Sequence, residues 1–305
     1  MRQAGEWTGK VVGMFDGFRL DCVDVGEVRL RVRHGGTGPG VLLVHGHPRT
    51  HATWYQVAPA LVAAGYRVVC PDLRGYGQSG APPDQPDHSQ ASKRAMASDL
   101  ARLMQVLGHD RYIAVGHDRG GYVVQRLALD HPGPTSRVVI LGDVPIGEAL
   151  ARCDARFAQS WWHWFFIGQP APLAERLIAA DPQAWYHLDQ SLMGPENYAD
   201  VLQAVTSPPV QHSMCEDYRA GLGPDRDADD ADRAAGRKIT APLLVLWGIR
   251  DDIAGLYDND VLGVWQPWAA KLSGFALPSG HHMSEEAPEE LTRALLAFFG
   301  PAASE

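Results

Sequence analysis

Short apolar runs alternate with amphipathic segments along the first half of the chain. Two β-rich segments, FRLDCVDVG and VRLRVRHGG, precede GVLLVHGHP, an apolar run that predicts a buried strand ending in a loop. The segments YRVVCPDLRG, RYIAVGHDRGG and SRVVILGDVP predict three more buried strands. Between them, SKRAMASDLARLMQVLG predicts a helix capped by Ser92, and YVVQRLALDHP predicts a helix ended by Pro132. This alternation predicts an α/β protein with a mainly parallel sheet flanked by helices and an active site at the carboxyl ends of its strands.

The pattern changes after Val144. Residues 145–239 are rich in Trp, Ala, Pro and Asp and contain no segment typical of a buried strand. Strand and helix patterns return in APLLVLWG, SGFALPSGHH and PEELTRALLAFFG. We therefore predict an α/β core formed by residues 1–144 and 240–305, interrupted by a helical cap at 145–239. The acidic segment GPDRDADDADRAAG lacks the glycine and terminal glutamate spacing of a calcium loop, which favours a solvated loop or helix end.

Composition and charge narrow the range of partners. The 305 residues include 27 Lys and Arg against 36 Asp and Glu, and the net charge of -9 disfavours nucleic acid and membrane partners. A small molecule is the expected partner. The N-terminal segment MRQAGEWTGKVVGMFDG has no apolar run of signal-peptide length, so we predict a cytoplasmic protein. The cysteines form no C-x-x-C pair, which predicts buried or partly buried free thiols: Cys22, Cys70, Cys153 and Cys215.

The segment GHDRG matches the pattern G-x-nucleophile-x-G, in which a sharp turn between a strand and a helix exposes the central side chain. Here the central residue is Asp118. A serine that attacks a saturated carbon forms an ether, which water does not readily cleave, whereas a carboxylate forms an ester, which can be hydrolysed. Asp118 is therefore the candidate nucleophile for substitution at an alkyl carbon.

Two further segments supply the other groups that such a reaction needs. The backbone N–H groups of His47, in VHGHPRT, and of Arg119 are predicted to form an oxyanion hole. His281, in SGHHMSEEAP, is the candidate base that activates water, while its neighbour His282 is expected to have a packing or surface role. No nucleotide-binding fingerprint or metal-ligand pattern is present, since His47 and His51 are four residues apart but lack a third ligand. The sequence therefore predicts hydrolysis without a cofactor or metal.

From about Phe15 to Phe299 the chain resembles the α/β hydrolases of the fluoroacetate (haloacetate) dehalogenase group, which are close relatives of the epoxide hydrolases. The matching segments include HGHPRTHATW, DLRGYGQS, GHDRG, HWFFIGQPAPL, MCEDYRAG and SGHHMSEEAP. The resemblance implies an α/β-hydrolase fold with an inserted helical cap, and a homodimer. It also implies cleavage of a carbon–halogen bond of a small haloacid-like substrate through an aspartyl ester, with a halide pocket formed by His163, Trp164 and Tyr218.

The chain departs from this family in the groups that hold a substrate carboxylate. The family uses two arginines, one and four positions after the nucleophile. Arg119 keeps the first, but the second position is Tyr122, which offers a hydroxyl without a positive charge. Binding of a substrate carboxylate by two arginines is therefore weakened, so a bulkier or neutral substrate is an alternative to a haloacid.

A second departure concerns the acid that orients His281. The position that carries this acid in the fluoroacetate enzymes is Gly142 here, and Asp143 follows one residue later. A shift of one residue along a strand turns a side chain to the other face, unless the strand has already ended. In LWGIRDD, Asp251 stands where many α/β hydrolases carry their acid. We predict Asp251 as the orienting acid and keep Asp143 as the alternative.

Three other functions remain as alternatives. Epoxide hydrolysis uses the same aspartyl-ester route and Tyr218 could protonate the opening oxygen, but epoxide hydrolases usually have Trp at the position of Arg119. An esterase or lactonase is expected to have Ser at position 118. A binding protein on a hydrolase fold would require loss of catalysis, against which the combination of Asp118, His281 and a candidate acid argues.

Overall fold

An eight-stranded sheet forms the centre of the protein in a computed structural model, which describes residues 14–302. The strands are β1 (Arg19–Asp24), β2 (Arg29–Gly35), β3 (Gly40–Val44), β4 (Arg67–Pro71), β5 (Tyr112–His117), β6 (Thr135–Leu141), β7 (Leu243–Gly248) and β8 (Leu272–Leu277). They are arranged in the order β1-β2-β4-β3-β5-β6-β7-β8. Strand β2 is antiparallel to β1 and β4, and the other neighbouring strands are parallel. The predicted mainly parallel sheet is confirmed.

Helices flank this sheet and fill the long connection between β6 and β7. Seven belong to the strand-and-helix part of the described chain: α1 (Val57–Ala63), α2 (Lys93–Val106), α3 (Arg119–Asp130), α13 (Ile253–Leu256), α14 (Val261–Trp265), α15 (Met283–Glu286) and α16 (Pro288–Phe299). Nine lie between β6 and β7: α4 (Ile146–Ala151), α5 (Ala155–Ser160), α6 (His163–Ile167), α7 (Leu173–Ala180), α8 (Pro182–Tyr186), α9 (Gln190–Met193), α10 (Pro195–Val205), α11 (Pro208–Leu222) and α12 (Pro224–Ala234). These nine helices form the helical insertion, whereas its division from the core at residues 144 and 240 stays a prediction.

The central strands bury both of their faces, which explains their continuous apolar runs. All residues of β3 and β5 are buried. Successive side chains alternate between two cores, so Leu42 and Val44 pack on the side of α2 and α3, whereas Val41 and Leu43 pack on the side of α1 and α16. Parallel pairing brings the carboxyl ends of β3, β5, β6, β7 and β8 to one edge, where the loops after these strands meet.

Local signals in the sequence mark the helix ends correctly. The Ser92 hydroxyl accepts a hydrogen bond from the N–H of Ala95 at 3.2 Å, which confirms the predicted N-cap of α2. Helix α3 ends at Asp130, just before His131 and Pro132. Since proline cannot continue the backbone hydrogen bonding of a helix, this boundary follows from the sequence.

The acidic segment at 223–236 is a helix, so its prediction as a solvated loop or helix end is wrong. Most of it forms α12, in which Asp225, Asp229 and Asp232 are buried. Spacings of four and three residues place these carboxylates on one helix face. That face packs against two cations, because Lys93 lies 3.4 Å from Asp225 and Arg126 pairs with Asp229 and Asp232.

The sequence also led to predictions about the cysteines and the N-terminal segment. All four cysteines are free thiols; Cys70 and Cys215 are buried as predicted, but Cys22 and Cys153 are exposed. No helix within residues 14–302 is long and apolar enough to cross a membrane. Residues 1–13, on which the expected lack of a signal peptide depends, lie outside the described residues.

Candidate active site

A strained turn presents Asp118 at the carboxyl edge of the sheet. Strand β5 ends at His117 and α3 begins at Arg119, leaving Asp118 between them with φ 51° and ψ -129°, a conformation that residues other than glycine rarely adopt. Two glycines make room for this turn. A Cβ atom on Gly116 would lie 2.2 Å from the Gly120 carbonyl oxygen, and one on Gly120 would lie 2.3 Å from the His45 carbonyl oxygen. The glycines of GHDRG are therefore required by close backbone packing.

The two carboxylate oxygens of Asp118 face different groups. Oδ1 accepts a hydrogen bond from the backbone N–H of His47 at 2.6 Å. Oδ2 lies 3.7 Å from Nε2 of His281. Burial raises the pKa of Asp118, but the close interaction with the His281 imidazole outweighs burial and holds the pKa far below its usual range. Asp118 is therefore a carboxylate at neutral pH.

His281 lies between Asp118 and Asp251. Its Nδ1 is 2.9 Å from Oδ2 of Asp251, which leaves Nε2 directed towards Asp118. Burial lowers the pKa of His281, but the ion pair with Asp118 and the hydrogen bond and negative charge of Asp251 raise it well above its ordinary value. The geometry thus brings together the three residues predicted as nucleophile, base and orienting acid.

Asp143, the alternative acid, occupies a different position. Strand β6 ends at Leu141, and Gly142 follows with φ 76°. A Cβ atom on Gly142 would lie 3.5 Å from Nδ1 of His281, so this backbone position is beside the imidazole, although its side chain is absent. Asp143 is 2% exposed, and its Oδ2 has no hydrogen-bond partner among the described residues. Burial, with a further contribution from the charge of Asp118, raises its pKa well above the usual range and favours the uncharged acid.

A cavity of about 480 Å³ opens above Asp118 between the sheet edge and the helical insertion. The predicted residues His47, Tyr122, His163, Trp164 and Tyr218 line it. So do four aromatic residues that sequence reasoning did not single out: Trp161, Trp162, Trp185 and Tyr186. The first two belong to the segment WWHWFF and could have been found there, whereas AWYHLDQ, which contains the other two, carries no recognisable signal.

The three residues expected to form a halide pocket come together on the insertion side of the cavity. His163 and Trp164 lie on α6, Tyr218 lies on α11, and the rings of His163 and Tyr218 are 6.0 Å apart. Burial lowers the pKa of His163 to about 4, and burial raises that of Tyr218 well above its usual value. Both groups are therefore neutral at pH 7 and can each offer an N–H or O–H donor to a leaving group.

Arg119 is predicted from the sequence to contact the substrate. In the structure its side chain does not reach the cavity. Its Nε and Nη2 donate to the carboxylate of Asp217 at 3.1 and 2.9 Å, and Nη2 also donates to the Asp217 carbonyl oxygen at 2.7 Å. Arg119 is 1% exposed, and Tyr218 packs on its guanidinium, with 4.2 Å between Cζ and the ring centroid. The Arg119 side chain is therefore not a cavity group, and the oxyanion-hole role of its backbone N–H stays a prediction.

Three imidazoles beside the sheet edge could hold a metal ion. One nitrogen each of His117, His281 and His282 lie within 4.8 Å of one another. Burial lowers the pKa of His117 to about 4, and its Nε2 lies 2.8 Å from the His281 carbonyl oxygen. The Nδ1 atoms of His117 and His282 are buried without a partner among the described residues. Hydrolysis without a metal or cofactor stays a prediction.

Comparisons with known proteins agree with this fold. The family model described as alpha/beta hydrolase fold matches residues 39–288. A fluoroacetate dehalogenase of Burkholderia sp is 40% identical, over 95% of this chain and 97% of the relative. A soluble epoxide hydrolase of Corynebacterium sp. (strain C12) is 30% identical, over 94% and 96%. A structure from Nostoc sp PCC 7120, described provisionally as an α/β hydrolase, superimposes with a TM-score of 0.90 at 40% identity, over 94% of this chain and 99% of that one. The chain is therefore a hydrolase that belongs to the α/β-hydrolase family.

Proposed function

We propose that this protein hydrolyses the carbon–halogen bond of a small organic halide through an ester formed on Asp118. The observation that carries the proposal is the position of this carboxylate, with Oδ1 held by the N–H of His47 at 2.6 Å and Oδ2 facing His281 and the cavity. A carboxylate at the tip of a nucleophile turn suits attack on a saturated carbon, because the resulting ester can be cleaved by water. The 40% identical relative named as a fluoroacetate dehalogenase supports this choice.

In the first step Oδ2 of Asp118 attacks the carbon, and the halide leaves with the bonding electron pair. His163, Trp164 and Tyr218 would stabilise the leaving halide through N–H and O–H donors. Charge-assisted hydrogen bonds contribute about 1.5 to 3 kcal/mol each, so loss of one donor should slow this step about ten- to a hundredfold.

In the second step a water molecule attacks the Asp118 carbonyl carbon and gives a proton to Nε2 of His281. The oxyanion would develop on Oδ1, which accepts the backbone N–H of His47, and the backbone N–H of Arg119 would be the second stabilising donor. Collapse of this intermediate releases the alcohol and restores the Asp118 carboxylate, so that an organic halide and water become an alcohol and a hydrogen halide.

Replacement of the base tests this sequence of steps. The His281→Gln variant should release about one halide per protein and then stop, because the ester forms but no group activates water. Mass spectrometry of the intact protein should show one added alkyl group, mapped to the peptide that contains Asp118. The Asp118→Asn variant is the matched control and should show neither halide release nor the adduct. Absence of any adduct in His281→Gln, with a substrate that the wild type turns over, would contradict the proposal.

Epoxide hydrolysis is a second candidate, favoured by two tyrosines in the cavity. Tyr186 and Tyr218 both line it and could protonate the oxygen of an opening epoxide ring. The relative named as a soluble epoxide hydrolase is 30% identical. A panel of haloacetates, haloalkanes and epoxides, assayed for halide and diol release with Asp118→Asn as the control, distinguishes the two reactions.

A further inference from the structure

Among the described residues, the wall of the active-site cavity contains no arginine or lysine that could pair with a substrate carboxylate. Burial lowers the pKa values of His47 and His163 to about 3 and about 4, so both imidazoles are uncharged at pH 7. His281 is cationic in the free enzyme, but it is already paired with the carboxylates of Asp118 and Asp251.

The closest candidate for an anion partner, Arg119, is neutralised by a buried acid. Asp217 is completely buried and accepts hydrogen bonds from two nitrogens of this guanidinium. The same carboxylate pairs with Lys93 and accepts a hydrogen bond from the Tyr76 hydroxyl at 2.6 Å. Asp217 thus pairs with both cations of this buried cluster, and Lys93 also lies 3.4 Å from Asp225.

The remaining donor of Arg119 gives no access to a ligand. Nη1 is buried without a hydrogen-bond partner among the described residues, and Arg119 is not among the residues that line the cavity. The Tyr218 ring, which does line it, covers the guanidinium. A substrate carboxylate beside Asp118 would therefore lose its hydration and face another carboxylate without a bidentate partner, which is unfavourable.

Uncharged polar groups occupy the adjacent part of the wall. Tyr122 lines the cavity at the fourth position after the nucleophile, and Asp143 lies beside it. Burial, with a further contribution from the charge of Asp118, raises the pKa of the Tyr122 phenol well above its usual value. The Asp143 Oδ2 atom is buried without a partner among the described residues, and the acid is favoured in its protonated form. The Tyr122 hydroxyl can exchange a hydrogen bond with an uncharged amide or hydroxyl of a substrate, whereas the buried Asp143 Oδ2 faces Gly121.

We propose that the substrate is an uncharged organic halide, and that Tyr122 and the Asp217-bound Arg119 make the site disfavour halocarboxylates. This inference rests on the proposed carbon–halogen hydrolysis and narrows its substrate class. It departs from the haloacid-like substrate that the family resemblance implies. The volume of about 480 Å³ and the walls formed by Trp161, Trp185 and Tyr186 suit a substrate with an apolar or aromatic body.

Two chlorides that differ only in a remote charge provide the test. In 4-(chloromethyl)benzamide and 4-(chloromethyl)benzoate the reacting carbon and the overall shape are the same. We expect kcat/KM for chloride release, corrected with Asp118→Asn, to be about ten- to a hundredfold higher for the amide, the loss expected when a charge finds no partner. Equal or higher kcat/KM for the carboxylate would overturn the inference while leaving the proposed reaction intact.

A variant restores the missing charge. Tyr122→Arg should lower the amide-to-carboxylate ratio of kcat/KM at least about tenfold, since a charge-assisted contact becomes available. Tyr122→Met, which removes the hydroxyl without adding a charge, is the matched control and should lower the ratio much less than Tyr122→Arg does. An unchanged ratio in folded Tyr122→Arg would contradict the role given to this position.

Binding of unreactive analogues tests the charge preference without depending on the proposed reaction. The unreactive analogues 4-methylbenzamide and 4-methylbenzoate can be compared by calorimetry in the wild-type protein, and we expect the amide to bind at least about tenfold more tightly. If neither chloride is turned over, the proposed carbon–chlorine hydrolysis fails, whereas the binding comparison still decides the charge preference. Tighter binding of the carboxylate would overturn the inference.

Discussion

The charge of Asp118 changes during the proposed reaction, and His281 responds to this change. In the free enzyme, the ion pair with Asp118 and the hydrogen bond and negative charge of Asp251 raise the pKa of His281 well above its ordinary value, against the effect of burial. Ester formation removes the charge of Asp118, so the pKa of His281 falls and the imidazole loses its proton. The step that creates the ester therefore also produces the base that the second step requires.

The pH dependence of turnover should follow from this coupling. Since the pKa of Asp118 lies far below its usual range, ester formation should continue at mildly acidic pH. Hydrolysis requires neutral His281, so its rate should fall about tenfold per pH unit below the pKa of His281 in the ester. Stopped-flow measurement of halide release should show a burst that persists at acidic pH while the steady rate declines. Parallel loss of the burst and the steady rate would contradict this expectation.

The two candidate acids should differ in the hydrolytic step. Asp251 lies 2.9 Å from Nδ1 of His281, whereas Asp143 has an unpartnered oxygen and a raised pKa. We expect Asp251→Asn to slow ester hydrolysis by up to about 10⁴-fold, because the imidazole loses the group that orients it. Asp143→Asn is the matched control and should retain hydrolysis. Rapid-quench mass spectrometry of the ester measures both rates, and selective loss in Asp143→Asn would reverse the assignment.

Asp143 should also change the pH dependence of stability. An unfolded Asp titrates near pH 3.9, whereas burial raises the pKa of Asp143 in the folded protein. Between these two pKa values, the free energy of unfolding therefore falls as the pH rises, by up to about 1.4 kcal/mol per pH unit. Asp143→Asn removes this effect, so its melting temperature relative to the wild type should increase from pH 4 to pH 7. A difference that does not vary with pH would contradict the raised pKa.

At the scale of elements, the junction between β5 and α3 depends on close backbone contacts. Gly116 packs on Gly120, and Gly120 packs on the loop after β3, which also presents the N–H of His47 to Asp118. The same contacts that allow the strained turn at Asp118 thus align the proposed oxyanion hole. The proposed nucleophile and oxyanion donors thus lie in tightly packed backbone, which is the arrangement that preorganised catalysis requires.

Substitution of Gly120 should show how much this junction contributes to the free energy of unfolding. In Gly120→Ala the new Cβ would lie 2.3 Å from the His45 carbonyl oxygen, and we expect the free energy of unfolding to fall by about 1–3 kcal/mol or more. Gly133→Ala is the matched control, because a Cβ there would contact nothing within 4 Å, and its effect should stay within about 0.5 kcal/mol. Denaturant unfolding measures both changes. Equal effects would contradict the steric explanation.

At the scale of the whole molecule, buried polar contacts hold the helical insertion on the sheet. Asn197 of α10 donates to Glu285 of α15 at 2.9 Å, and Glu285 pairs with Arg49 at 2.9 Å. Asp200 of α10 lies 2.7 Å from Arg31. Because these partners come from distant parts of the chain, they fix where the insertion sits above Asp118. A homodimer, which the family resemblance implies, stays a prediction for light scattering.

Removing one partner of the buried pair should destabilise the protein more than removing both. Arg49→Met leaves the completely buried side chain of Glu285 without its cation, and we expect a loss of about 3–5 kcal/mol. The double variant Arg49→Met/Glu285→Gln should recover part of this loss, because no charge is then left unpaired. A double-mutant cycle in denaturant measures the coupling, and additive losses would contradict it.

The sequence by itself determined the strand and helix pattern, the helical insertion and the Asp118 turn. These features depend on local properties: alternating or continuous apolar runs, caps such as Ser92, and glycines around the candidate nucleophile. The candidate base His281 and the preferred acid Asp251 could also be proposed from their positions after strands, since parallel strands bring such positions to one edge.

Only the tertiary structure decided which distant groups meet. It places Asp251, rather than Asp143, beside His281 because Gly142 ends β6 and the loop after β7 reaches the imidazole. It turns the Arg119 guanidinium onto Asp217, 98 residues away in the chain, and it buries the acidic face of α12 against cations. Ion pairing and burial depend on packing between elements that are far apart in sequence, and no local pattern specifies them.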